Sequence, residues 1–155
     1  MKNVYMRAVV EIMLPKKINL EKYPSNVSVG GFAVRTIDGD IPFDFEAGGV
    51  SSVEKINDME YRVHYFSNEN PAFCSPDVTD CYDEDYRACR LTRNDITAEY
   101  LAKAEELTEF FILCWDEEGK EVTPSKVNIL DITFEDENHT PYTMADDVLT
   151  RINSK

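Results

Sequence analysis

Three of the four cysteines fall within one run, CSPDVTDCYDEDYRAC (residues 74–89), alongside five carboxylates, two tyrosines and one arginine. Residues of these types could ligate a metal, close a disulfide loop, hold a reactive thiol or present charge to a partner. Spacing separates these chemistries. Structural zinc favours ligand pairs about two to four residues apart, but six and seven residues separate Cys74, Cys81 and Cys89, and the run holds no histidine. Asp77, Asp80, Asp83 and Asp85 resemble a carboxylate loop without the mid-loop glycine or the ligand spacing of a calcium-binding EF-hand. The expectation is therefore no bound metal and no cofactor.

Nucleophilic catalysis requires a thiol or hydroxyl beside a base. His64 sits in the strand-like YRVHYFS, on a face shared with Arg62 and Phe66, and His139 sits in the polar turn ENHTP. Cys114 lies within EFFILCW, where a free cysteine acts as a small hydrophobe. Gly30-Gly31 and Gly48-Gly49 suit turns better than phosphate-binding loops. An enzyme reading, metal- or thiol-dependent and centred on Cys74, Cys81, Cys89 and His64, remains as an alternative, as does a structural or assembly subunit.

The leading expectation is a non-enzymatic interaction surface. Asp77, Asp80, Tyr82, Asp83, Glu84, Asp85 and Tyr86 combine a dense negative field with aromatic anchors, a pairing suited to a basic partner. Asp116, Glu117, Glu118 and Glu121 form a second acidic group on a predicted hairpin tip. Glu135, Asp136 and Glu137 end the strand expected to pair with it, so the two groups are expected toward opposite ends.

Hydrophobic patterning indicates the elements that carry these groups. Val4, Met6, Ala8, Val10, Ile12 and Leu14 alternate with polar positions, the period of a half-buried strand. GFAVRTI, IPFDFE, VSSVEKI and EYRVHYF read as four successive antiparallel neighbours, with turns at Asp38-Gly39, Gly48-Gly49 and Asn57-Asp58. Residues 67–91 show no period and contain two X-Pro steps, which marks a long irregular acidic loop. Leu91, Thr92, Asp95 and Ile96 have the spacing of a capping box with a hydrophobic staple, predicting a helix over about 93–106. EFFILCW, apolar on both faces, reads as a central strand, and KVNILDITFE returns beside it with Leu130, Ile132 and Phe134 inward. A short helix over TMADDVLTRI closes the chain. The sum is one α+β domain over residues 1–155, with about seven mainly antiparallel strands and two helices. Its predicted core adds Phe43, Phe45, Val63, Tyr100, Leu101, Phe111 and Leu113.

Charge narrows the function further. Thirty acidic against sixteen basic residues give a net −14. Residues 1–36 carry six basic and two acidic side chains, whereas residues 37–89 carry three and thirteen. Such a body repels phosphate backbones and attracts basic surfaces, including those that proteins use to hold nucleic acid. Direct nucleic-acid binding is thus not expected, and inhibition of a nucleic-acid-handling enzyme is. Anti-CRISPR proteins, anti-restriction proteins and nuclease immunity proteins share this physical logic. The first apolar run is interrupted by Arg7 and Glu11, and no stretch reaches the ~20 apolar residues of a membrane span. A cytoplasmic setting with reduced thiols is expected, with no membrane partner.

Overall fold

The computed structural model describes residues 4–44, 49–66, 72–73 and 95–153. Its strands are β1 (Tyr5–Met13), β2 (Val27–Thr36), β3 (Gly39–Asp44), β4 (Gly49–Lys55), β5 (Glu60–Phe66), β6 (Ala72–Phe73), β7 (Glu106–Trp115), β8 (Glu121–Val122), β9 (Lys126–Glu135) and β10 (Pro141–Thr143). Helix α1 (Ala98–Ala102) precedes β7, and α2 (Asp146–Asn153) follows β10. Two five-stranded sheets result, ordered β10-β9-β1-β5-β4 and β6-β3-β2-β7-β8. Each described pairing is antiparallel. The architecture is α+β and mostly antiparallel sheet.

Alternation in the first segment is realised fully. Val4, Met6, Ala8, Val10, Ile12 and Leu14 are at most 2% exposed. Tyr61, Val63 and Tyr65 of β5 and Ile129, Ile132 and Phe134 of β9 join them from the same sheet. The second sheet contributes Val27, Val29, Val34, Ile41, Leu107, Ile112 and Cys114 to that cluster, and the helices add Ala98, Leu101, Val148 and Leu149. Burial of these side chains is the main favourable term holding the sheets together. Tyr61 also anchors the polar connection after β1, its hydroxyl donating to the Ile18 carbonyl at 2.7 Å.

Several expectations are corrected. The four central strands do not form one meander: β3 belongs to one sheet and β4 to the other, so the chain crosses between them. A short connection looks the same in sequence whether its strands pair or cross. Gly30 and Gly31 lie inside β2, and Gly30 is the extra residue of a β-bulge. The first hairpin turns on Ile37 and Asp38 rather than Asp38-Gly39, because Thr36 pairs with Gly39. Gly39 has φ +134°, a conformation open essentially to glycine alone. The supposed loop at 67–91 is interrupted by β6, which pairs with β3; residues 67–71 and 74–94 lie outside the described residues.

Helix α1 is five residues long, capped by Thr97, whose hydroxyl oxygen accepts from the Tyr100 N–H at 3.1 Å. The predicted cap at Thr92 lies outside the described residues. Beyond Lys103 strand pairing takes the backbone: the Glu105 N–H donates to the Arg35 carbonyl, and Glu106 and Leu107 pair with Arg35 and Val34. Nor does β9 return beside β7. The hairpin partner of β7 is the two-residue β8, and β9 pairs with β1 in the other sheet.

Leu130 departs most from the alternation of its strand. A bulge opposite Val9 and Val10 leaves it unpaired between Ile129 and Asp131, and it is 39% exposed. One inserted residue shifts the alternation, so Ile129 faces inward before the bulge and Ile132 after it. Leu113 and Tyr100 are half-buried, not core residues. The side chains of Phe43, Phe45 and Phe111 lie outside the described set. The described residues hold ten strands against the expected seven or so, of which β6, β8 and β10 have only two or three residues each.

Candidate interaction surface

Cys74, Cys81 and Cys89, and the acidic run from Asp77 to Tyr86, lie outside the described residues. Cys114 lies in the core at 0% exposure, and burial pushes its thiol up to about 12. His64 occupies the outer face of its sheet, with Nε2 3.1 Å from Glu54 Oε2. It belongs to a surface ladder in which Arg62 Nη2 also donates to Glu11 Oε1 at 2.7 Å. Cys114 and His64 therefore do not form a thiol–base pair. Among the described residues, no group of three or more histidine, cysteine or carboxylate side chains could hold a metal ion. No helix there is long and apolar enough to cross a membrane.

The two hairpin groups each turn one carboxylate inward. Asp116, 6% exposed, accepts from Lys16 Nζ at 2.8 Å and from the backbone N–H groups of Glu118 and Lys120, both at 2.9 Å. The Lys16 hydrogen bond and these N–H donors outweigh burial and hold its carboxyl below the usual range. The turn closes through Gly119, at φ +83°. Glu117, Glu118 and Glu121 remain exposed.

In the second group Glu135 is 7% exposed, with Arg7 Nε on one oxygen and His139 Nδ1 3.0 Å from the other. Burial by itself raises the Glu135 carboxyl, but the hydrogen bonds and charges of His139 and Arg7 reverse the balance and lower it. Asp136 Oδ1 accepts from the N–H groups of Asn138 and Thr140 at 2.9 Å, which makes it a turn-former. Glu137 points outward. Since Glu135 pairs with Tyr5 and Asp116 binds Lys16, the two groups mark opposite ends of β1.

These lowered carboxyls have a pH consequence. A carboxylate held below its unfolded value stabilises the fold above that value and loses the contribution as pH falls through the folded one. Urea midpoints should therefore hold near neutrality and drop below about pH 4, where free Asp and Glu protonate. The double variant Asp116→Asn, Glu135→Gln should start lower and show a shallower acid limb. An acid limb of unchanged slope would mean that these two groups are not the ones titrating.

A second acidic assembly was not legible in the sequence. Glu99 of α1 meets Asp136, Glu137 and Asn138 of the β9–β10 turn around a cleft of about 270 Å³, floored by Val4, Ala98 and Tyr142. At the other end of α1, Glu105 and Lys103 share a broader cleft with Asp147 of α2. Five carboxylates from three separate segments thus border α1, with Lys103 held to Glu99 at 3.2 Å. In sequence Glu99 reads only as an i,i+4 partner of Lys103, and Asp147 as a helix-start acid; the packing of α1 against β9 and β10, and of α2 against β9 and β7, sets them around α1. Compared with known proteins, the chain matches no family model, no curated protein and no solved structure.

Proposed function

We propose that this protein is a non-enzymatic binder of a basic protein surface, and that it acts in the cytoplasm by occupying the nucleic-acid channel of a nuclease or a related enzyme. Inhibitors of the anti-CRISPR, anti-restriction and nuclease-immunity kinds work on this physical principle. The observation that supports the reading best is the convergence of Glu99, Glu105, Asp136, Glu137 and Asp147 around α1, in a chain of net charge −14. Carboxylates gathered from distant segments produce a field that a scattered acidic coat does not, and such fields steer basic partners and pair with their arginines. Val4, Ala98 and Tyr142 add an apolar floor against which an arginine or lysine stem can lie. The acidic runs at 77–86 and 117–121 extend the same charge in sequence.

The test is affinity for a purified partner recovered from the native host. The variant Glu99→Lys, Glu105→Lys, Glu137→Lys, Asp147→Lys should keep its circular dichroism and lower the melting temperature only modestly, because these side chains are exposed and the cost is confined to the Glu99–Lys103 pair and to first-turn charges of the helices. It should bind at least about tenfold more weakly, as each reversal replaces attraction with repulsion. Wild-type association should slow with added salt as screening shortens to about 10 Å at 0.1 M, and the partner's nucleic acid should compete. An acidic partner, or equal affinity of the folded variant, would overturn the reading.

A further inference from the structure

Two apolar features stand at opposite ends of the molecule, and neither belongs to the core. The first is the β2–β3 tip. Ile37 is 80% exposed, against 47% for the next most exposed large hydrophobic among the described residues. It occupies a two-residue turn, where glycine, asparagine, aspartate or serine is usual. The tip is nonetheless fixed. Buried Thr36 Oγ1 donates to the Gly39 carbonyl at 2.8 Å and accepts from the Asp38 N–H at 3.2 Å, while the Tyr100 hydroxyl lies 2.6 Å from Asp38 Oδ2. A knob held still in this way loses little further freedom on docking.

The second feature is a shallow cleft at the far end of β2. The Leu14 N–H donates to the Met59 carbonyl, and Lys16 and Asn26 both bind Asp116, which places Met13 and Met59 beside the start of β2. Ten residues of strand, about 30 Å, separate that end from Ile37. Met13 and Met59 line the cleft, of about 620 Å³, and Ile56 is exposed in the same turn as Met59. Methionine adapts readily to the shape of what it meets. At the rim Lys17 and Lys55 share the single carboxylate of Asp58, at 3.3 and 3.2 Å. The tip, in contrast, projects from the end that carries Asp38, Glu99 and Glu105. We propose that this chain associates head to tail, the Ile37 tip of one copy seated between Met13 and Met59 of the next. Knob and hollow are both apolar, and the charges around them are complementary, acid beside the tip and lysine beside the cleft. Because they are different surfaces at opposite ends, the contact is heterologous and does not close at a dimer. A two-residue tip buries little area, so the association is weak and set by concentration.

Analytical ultracentrifugation of the full chain is the test. The weight-average sedimentation coefficient of the wild type should climb from micromolar to millimolar concentration without a plateau at the dimer. Ile37→Ser and Met59→Ser should each stay monomeric with unchanged circular dichroism, since both side chains are exposed. An equimolar mixture of the two should form a dimer and stop there, because one variant keeps only its cleft and the other only its tip. Methyl spectra of the wild type give a readout that needs no variant. The Ile37 and Met59 signals should shift with concentration, and those of Leu130, which is as exposed as Met59, should not. A wild type that is monomeric throughout, association that survives either substitution, or a mixture no larger than its components would each overturn the inference. No basic partner enters these measurements, so they stand apart from the function proposed above.

Discussion

Ile132→Ala should lower the unfolding free energy by about 2–5 kcal/mol, the range for truncating a buried isoleucine, while Leu130→Ala, two positions earlier, should cost only a few tenths. The contrast comes from one bulge. Ile132 pairs with Ala8 and is 0% exposed, within the central cluster. Truncating it removes its contacts and leaves a cavity that two packed sheets cannot fully collapse. Leu130 has no partner on β1 and is 39% exposed, so its methyl groups already meet water. Strict alternation makes the two equivalent; the bulge makes them opposites. Denaturant midpoints for both variants, at equal m-values, decide the matter. A large loss at Leu130 would place the bulge elsewhere.

Asp40→Ala should be the second severe change, at roughly 3 kcal/mol, near the lower end for breaking a buried ion pair. Asp40 is 3% exposed and receives both forks of Arg35, with Nε at 2.8 Å and Nη2 at 3.1 Å. The two residues lie directly opposite one another across β2 and β3. Removing the carboxylate leaves a guanidinium whose side chain is only 24% exposed, with Glu106 at 3.8 Å as a partial substitute. That substitute keeps the cost away from the top of the range. The hairpin tip should survive, because Thr36 Oγ1 still donates to the Gly39 carbonyl and the Tyr100 hydroxyl still lies 2.6 Å from Asp38 Oδ2. Asp40→Asn should cost less than Asp40→Ala, since the amide oxygen still accepts. Similar losses for the two variants would mean that the charge of Asp40, which both remove, rather than its shape and acceptor oxygen, carries the site.

The fold was legible in sequence wherever a local rule and the tertiary structure agreed. The even face of β1 and the odd face of β5 follow from period two alone, because each strand covers one side of the core without a break. The rule failed where one residue was inserted, at Leu130 and at Gly30, since a bulge leaves no signature in composition. Helix α1 is shorter than its sequence pattern suggests because capping and amphipathic spacing are local, whereas the pairing of Glu106 and Leu107 with β2 comes from residues about seventy positions away. The site was less legible than the fold. Asp116 and Glu135 read as exposed acids, but each is covered by a half-exposed cation supplied by a distant segment. His139 read as an ordinary turn residue, because nothing nearby in sequence announces that Tyr5 and Arg7 will stand beside it.

The position of β1 between β5 and β9 has a consequence for how the protein is made. The contact between Arg7 and Glu135 spans 128 positions, and β2 waits similarly for β7. Each strand leaves the ribosome long before the partner that flanks it, β9 for β1 and β7 for β2. Folding governed by such distant pairings is slow compared with that of a helical domain of equal size. Until β9 is synthesised, the apolar face of β1 and one of its hydrogen-bonding edges lack their native cover, the condition under which nascent chains stick to one another. Expression yield should therefore depend more on chaperone supply and translation rate than the final stability of the sheets suggests.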